Sequence, residues 1–128
     1  MTTREEAVAL CLQFPGAVED APFHDPNWTV LRHGPGGKMF AAVFERQGRI
    51  WLNLKAEPLQ AEFLCRVFAA VVPAYHMNKR HWVSVILDGS LAEELIAGLA
   101  QESFLLTARR PAKQKAQNAP ENRAERTE

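Results

Sequence analysis

A dense polar cluster lies directly before an apolar, strand-like run in the second half of the chain. Lysine and arginine side chains suit contacts with phosphates, and histidine and asparagine add hydrogen-bond donors beside them. The run that follows, Trp82–Leu87, is mostly apolar and rich in β-branched residues, so the cluster should occupy a loop that enters a strand. Tyr75 and Trp82 flank the cluster and suit stacking on unpaired bases. The polar residues are His76, Asn78, Lys79, Arg80 and His81.

The same segment also has a purely structural interpretation. In a tight turn, asparagine and histidine side chains bond to backbone groups that would otherwise stay unpaired, while Tyr75 and Trp82 belong to the core. The residues alone therefore leave three interpretations open: a structural turn, contact with DNA or RNA, and a site for a small anionic ligand. We predict that Trp82 is the buried anchor of the segment.

The sequence contains no recognisable metal-binding motif and no recognisable arrangement of catalytic residues. The four histidines (His24, His33, His76 and His81) show no His-Glu-x-x-His spacing, and no Cys-x-x-Cys pair is present. No serine–histidine–aspartate arrangement or paired carboxylates can be recognised. The glycine-rich residues 34–37 lie between two strands, whereas a phosphate-binding loop needs a helix after it. We predict no metal, no cofactor, no catalytic residues and no enzymatic activity.

Composition and charge limit the classes of function. The chain has 128 residues with 15 basic and 15 acidic side chains, and a zero net charge argues against a strongly electrostatic nucleic-acid binder. Residues 109–128 carry six Lys/Arg and three Glu, a net charge of +3, which leaves nine basic and twelve acidic residues, or −3, on residues 1–108. We predict one domain over residues 1–110 and a basic, disordered tail over residues 111–128, which lacks large apolar side chains.

The chain also lacks the marks of a membrane or exported protein. Its apolar runs fall well short of the roughly 18 residues that signal a membrane-spanning helix, and Met1 to Glu6 do not resemble a signal peptide. We therefore predict a cytoplasmic location with no membrane contact. Both cysteines, Cys11 and Cys65, fall in apolar helical segments and are predicted to be reduced, buried thiols.

Capping and turn residues divide the first half into elements. Thr3 and Glu6 form a capping box that starts a helix, and residues 17–27 are predicted to be an irregular connection with Phe23 turned inward. Three strands follow, over residues 28–33, 38–45 and 50–55. Alternation places Phe40, Ala42 and Phe44 on one face of the second strand, and Ile50, Leu52 and Leu54 on one face of the third.

The second half alternates helix, strand and helix. Pro58 suits the first turn of a helix that runs to about residue 70. Ser90 and Glu93 form a second capping box before the last helix, which Gly98 or Ser103 is predicted to interrupt. The apolar stripe of the second helix consists of Leu59, Phe63, Val67 and Phe68. The whole order, α-βββ-α-β(β)-α, predicts a single α+β domain whose antiparallel sheet has its helices packed on one face.

Four features together resemble the MmcQ/YjbR family over about residues 3–110. They are Phe14-Pro15-Gly16-Ala17 after the first helix, Trp28 at the first strand, the motif Tyr75-His76-Met77-Asn78-Lys79-Arg80-His81-Trp82, and Asp88-Gly89-Ser90-Leu91 before the last helix. The resemblance implies a frataxin-like (CyaY-like) fold in a bacterial-type protein. It also implies the "double wing" DNA-binding label attached to this family, which rests on structural analogy.

The leading hypothesis is therefore DNA binding, with phosphates contacted by a basic loop and two hairpin wings. The alternative is a non-enzymatic module that binds a protein or small ligand and whose polar motif is structural. A monomer or weak dimer is expected. The residues predicted to contact DNA are His76, Asn78, Lys79, Arg80, His81, Arg32, Lys38, Arg46 and Arg49.

Overall fold

A six-stranded antiparallel sheet and three helices make up residues 1–108, the part of the chain that the computed structural model describes. The predicted tail and the last two residues of the predicted domain lie outside the described residues. In chain order the elements are α1 (Arg4–Leu12), β1 (Ala17–Asp20), β2 (Thr29–His33), β3 (Met39–Arg46), β4 (Arg49–Lys55), α2 (Pro58–Val67), β5 (Val71–Pro73), β6 (Trp82–Leu87) and α3 (Glu93–Thr107).

The predicted α+β class with an antiparallel sheet is confirmed, in the strand order β1-β2-β3-β4-β6-β5. The three predicted strands of the first half correspond to β2, β3 and β4. The short strand β1 was missed, because Ala17–Asp20 has no apolar alternation and forms only by pairing with β2. None of the helices in residues 1–108 combines the length and the apolarity that a bilayer crossing requires.

The main core lies between one face of the sheet, here called the helix face, and the three helices. Ala7 and Cys11 of α1 pack there with Leu52 and Leu54 of β4 and with Ile96 of α3. The predicted capping box of α1 is confirmed, since Thr3 and Glu6 bond reciprocally to each other's backbone amides. Burial raises the pKa of the Cys11 thiol to about 12, so this cysteine behaves as a small apolar side chain.

A β-bulge at Phe40 overturns the predicted face of β3. Leu31 pairs with Ala41 but Arg32 pairs with Met39, so Phe40 is an extra residue in the strand. A bulge rotates the side chains on one side of it relative to strict alternation. Phe40 therefore packs on the helix face against Phe104, while Phe44 lies on the opposite face.

Three local predictions in the connections and in α3 are also wrong. Phe23 is 53% exposed instead of turned inward. The N-cap of α3 is Ala92, because the Ser90 hydroxyl bonds to Asp88 in the preceding turn. The helix also runs unbroken past Gly98 and Ser103, whose hydroxyl donates to the Phe40 carbonyl and accepts from the Lys55 amide.

The apolar stripe predicted to bury α2 faces solvent instead. Leu59 is 80% exposed and Phe63 is 49% exposed, whereas Ala61 and Leu64 are buried. The helix packs beside β5 and β6 at one edge of the sheet, where the small Ala61 side chain permits a close approach. The helix has two apolar faces, one with Leu59, Phe63 and Val67 and one with Ala61 and Leu64. The face with the smaller side chains is the buried one.

Adjacent residues of α2 give a direct test of this orientation. Replacing Leu64 with alanine should lower the free energy of unfolding by about 2–5 kcal/mol, because it leaves a cavity in the core. Replacing Phe63 with alanine should lower it by less than about 1 kcal/mol, since exposed ring surface is lost and helix propensity improves. Urea unfolding of the two variants measures both values, and equal losses would contradict the orientation.

Candidate functional site

The polar motif forms a loop, residues 74–81, that folds back over the sheet face opposite the helices. This segment is here called the motif loop, and that side of the sheet the loop face. Two polar side chains on adjacent strands, Asn53 of β4 and Ser84 of β6, lie directly opposite each other beneath it, and both are fully buried. The loop therefore covers polar groups in the middle of the sheet.

Hydrogen bonds to the backbone of Tyr75 hold the motif loop on these two side chains. The Asn53 amide donates to the Tyr75 carbonyl at 3.0 Å, and the Tyr75 amide donates to the Ser84 hydroxyl at 2.9 Å. Ser84 in turn donates its hydroxyl hydrogen to the side-chain oxygen of Asn53. Each buried polar atom in this set thus has a partner, as buried polar groups require.

An aromatic layer continues the packing from Tyr75 across the loop face. The Tyr75 ring stacks on Phe44, with 5.7 Å between centroids, and meets the edge of Trp51. The Arg46 guanidinium lies over both neighbouring rings, 4.3 Å from the Tyr75 centroid and 4.9 Å from the Trp51 centroid. Such cation–π contacts hold the arginine against the protein surface.

The remaining polar residues of the motif mostly stabilise the loop itself. The Lys79 ammonium donates to the Ala74 carbonyl at 3.0 Å, and the Asn78 side chain accepts from the Arg80 amide at 2.9 Å. The His81 carbonyl accepts from the Ala56 amide. These contacts favour the structural interpretation for much of the motif. Trp82 and Tyr75 are both partly buried, and the hydrogen bonds that hold the loop on the sheet are made by Tyr75, not by the predicted anchor Trp82.

The predicted phosphate contacts divide into two groups. Arg32 forms an ion pair with Asp20 at 2.8 Å and also donates to the Gly37 carbonyl, and Arg46 is held on the aromatic layer. The other basic side chains are exposed and form no ion pair with any residue in the range 1–108. They are Lys38, Arg49, Lys79 and Arg80.

Strand directions determine which of these exposed cations lie near one another. Lys79, Arg80 and Lys38 are at the end of the sheet where β4 finishes, because the Ala56 amide bonds to the motif loop and β3 begins beside it. Arg49 lies at the other end, as the first residue of β4 directly after the turn from β3. Eight residues of β3 separate the two ends by about 26 Å. The four exposed cations therefore do not all lie at the same end of the sheet.

A cleft of about 340 Å³ lies between α2 and the motif loop. Lys79 and Arg80 line it together with Leu59, Glu62 and Cys65. Burial raises the pKa of the Cys65 thiol, which disfavours a reactive thiolate there. The Glu62 carboxylate in the same lining weakens the hypothesis of a small anionic ligand.

A second group of aromatic residues was missed at the end of the sheet near Arg49. Trp28 stacks on Phe44 with 4.1 Å between ring centroids, and the exposed Phe23 meets the edge of Trp28 at 6.2 Å. The His76 ring also lies 6.3 Å from Trp28. Phe23 and Trp28 are distant in sequence from the polar motif. The only sequence feature that could have indicated this aromatic group is the pair itself, in a connection otherwise rich in proline and aspartate.

The four histidines do not come together as ligands. Within residues 1–108, no group of three or more His, Cys, Asp or Glu side chains is arranged to hold a metal ion. His33 lies on the helix face, where it stacks on Phe104 at 4.2 Å and bonds to Thr107 at 2.8 Å. Because the Thr107 hydroxyl donates to the Ser103 carbonyl, His33 is the donor in its bond to Thr107.

Comparisons with known proteins place these features in a group of relatives. The YjbR family model matches residues 12–106. The chain is 35% identical over 102 residues to the uncharacterized protein YjbR of Escherichia coli (strain K12), covering 80% of this chain and 84% of that protein. It is 32% identical over 118 residues to the uncharacterized protein YyaQ of Bacillus subtilis (strain 168), covering 84% and 99%. The crystal structure of Deinococcus radiodurans DR2400, a DUF419 domain, matches with a TM-score of 0.79 and 32% identity, covering 90% of this chain and 87% of that one.

The contact between Ser84 and Tyr75 predicts a measurable loss of stability. Replacing Ser84 with alanine leaves the Tyr75 amide and the Asn53 side chain each short of a buried partner, which should cost about 1–3 kcal/mol. The Tyr75 amide should also exchange its hydrogen faster. Replacing the exposed Ser90 with alanine is the control, with an expected change within about 0.5 kcal/mol. Unchanged exchange at Tyr75 in the Ser84 variant would contradict the role of this contact.

His33 should make the stability of the fold depend on pH. Burial, as the main cause, lowers the pKa of His33 below its ordinary value of 6.5, so the unfolded chain binds a proton more readily than the folded one. The contribution of His33 is therefore complete above about pH 7.5 and is lost as the pH falls through 6.5 toward the folded-state pKa.

Urea unfolding at several pH values measures this loss. In a His33→Phe variant, which keeps a ring against Phe104 but cannot titrate, the fall in unfolding free energy over this pH range should be smaller than in the unmodified protein. An identical pH dependence in the two proteins would exclude His33 as its source.

Proposed function

The chain belongs to the YjbR family, as its motifs predicted, and from that premise we propose that it is a non-enzymatic DNA-binding module of the MmcQ/YjbR type. Cations on the motif loop and on two β-hairpins contact the phosphates. The observation that carries the proposal is the exposure of Lys38, Arg49, Lys79 and Arg80 on three loops that leave the ends of one sheet.

The spacing of the loops and the hydrogen-bond donors that they present suit contacts with the phosphates of a nucleic acid. The turn before β3 and the turn after it are the two wings, about 26 Å apart, which corresponds to roughly seven or eight base pairs at 3.4 Å each. Lys79 uses one of its three donors on Ala74 and keeps two for a phosphate. Arg32 and Arg46 support the loops instead of contacting DNA.

The rigid base of the motif loop supports the same proposal. A loop that presents cations binds with a smaller entropy cost when its backbone is already ordered. Tyr75 is held by hydrogen bonds at both its amide and its carbonyl, and the Asn78 side chain bonds to the Arg80 amide within the turn. In this proposal the structural contacts of the motif orient the residues that reach solvent.

A protein-interaction module is the second candidate, and the outward stripe of α2 favours it. Leu59, Phe63 and Val67 are all exposed on one side of this helix, next to the cleft lined by Lys79 and Arg80. A partner docked there would present apolar side chains flanked by carboxylates. The two candidates differ in salt dependence, because apolar contacts persist at salt concentrations that weaken phosphate contacts.

A binding titration at several salt concentrations tests the DNA proposal. With four phosphates neutralised on duplex DNA, log K should fall with log salt at a slope of about −3.6. In a variant with both Lys79 and Arg80 replaced by alanine, two contacts are lost and the slope should become about −1.8. Fluorescence anisotropy of a labelled mixed-sequence DNA measures both slopes.

Arg66→Ala is the matched control, since it removes an exposed cation of α2 that lies outside the three loops. Its slope should equal that of the unmodified protein. The proposal fails if neither duplex nor single-stranded DNA is bound at about 50 mM salt, or if the Lys79/Arg80 variant binds as tightly as the unmodified protein.

A further inference from the structure

We infer that the end of the loop face nearest Arg49 is a stacking site for unpaired bases, which makes single-stranded nucleic acid the preferred form of ligand. The inference rests on the proposed function and narrows it from DNA in general to strands whose bases are accessible. The site is here called the aromatic patch and consists of Phe23, Trp28 and His76.

Two rings of the aromatic patch, Phe23 and His76, are exposed, and Trp28, which neighbours both, is partly buried. Phe23 is half-exposed and its ring is perpendicular to Trp28, and Trp28 stacks on the buried ring of Phe44. A ring whose position is already fixed by packing loses little entropy when a base stacks on it. Base–aromatic stacking is tolerant of sequence and adds to the affinity base by base.

His76 has a left-handed backbone conformation, and its ring lies next to Trp28 in the aromatic patch. Its φ is +62°, in the left-handed region that a residue other than glycine adopts at a cost. The imidazole lies 4.1 Å from the Tyr75 ring and 6.3 Å from the Trp28 ring, between ring centroids. The hydrogen bonds at Tyr75 offset the strain, and an exposed ring joins the patch as a result.

Positive charge lies beside the rings. Arg46 is held over Tyr75 and Trp51, and Arg49 is exposed in the same hairpin. The connection that carries Phe23 lies at the same end of the sheet, because β2 begins opposite Val43 near the end of β3. Rings with adjacent cations are the combination that single-strand binding proteins use for bases and phosphates together.

The chemistry of the patch distinguishes single strands from duplexes. In a duplex the faces of the bases are covered by their neighbours, so exposed rings on a protein have nothing to stack on unless the helix is opened. An unpaired strand offers every base face. Arg49 is the exposed cation at this end, whereas Arg46 is held over Tyr75 and Trp51, so stacking on bases would supply more of the affinity here than contacts with phosphates.

Binding of a single-stranded DNA of about 12 nucleotides and of the duplex formed with its complement tests the inference. Phe23→Ala should weaken single-strand binding by about 5- to 150-fold and leave duplex binding unchanged. Phe63→Ala removes a phenyl ring of similar exposure on α2 and should change neither. The unmodified protein should bind the single strand more tightly than the duplex.

Different outcomes would overturn the stacking site and the proposed DNA binding. Equal binding of both forms, or Phe23→Ala and Phe63→Ala variants that behave alike, would overturn the stacking site and leave the proposed DNA contact standing. Absence of binding to either form at low salt would overturn the proposed function itself. A quench of tryptophan fluorescence by the single strand, lost in Phe23→Ala, would support the site directly.

Discussion

A pair of polar side chains in the middle of the sheet, Asn53 and Ser84, imposes the constraint on which the loop face depends. Both are fully buried, and an unpaired polar group at such a position would cost more than most single contacts contribute. The backbone of Tyr75 supplies the missing partners. The motif loop, which is rich in polar residues, therefore packs across a sheet face that is otherwise apolar. The aromatic layer lies around Tyr75.

The distribution of charge sets a second limit on how the domain can bind. The body of the domain is slightly acidic, with a net charge of −3 on residues 1–108 by sequence, and two of the arginines predicted to contact DNA are engaged internally. Arg32 pairs with Asp20, and Arg46 covers Tyr75. Binding cannot come from a broad basic surface. It has to come from a few cations carried by ordered loops, together with contacts that need no net charge, such as stacking.

Local signals predicted a large part of the fold. The capping box at Thr3, the β-rich runs and the turn residues between them depend on neighbours in sequence, so the helices and most strands could be recognised. The family resemblance followed from the order of residues in the motif, which is a property of the sequence itself.

The features that could not be predicted depend on tertiary choices. The bulge at Phe40 reflects how β3 pairs with β2, and the orientation of α2 reflects which of two apolar stripes fits the edge of the sheet. The candidate site was predicted in part: the motif loop was located, but its cations were not separable by sequence into those that hold the loop and those that reach solvent. Phe23 and Trp28 join His76 only because two distant connections meet at one end of the sheet.

The bulge in β3 also bears on how securely the chain finds its native pairing. Phe40 and Phe44 are four residues apart, yet the extra residue directs one ring to the helices and the other to the loop face. If β3 slipped by one position, both rings would leave their layers at once, so each misaligned sheet would lose packing on two sides simultaneously. A single irregular residue thus widens the energy gap between the native register and its nearest competitors.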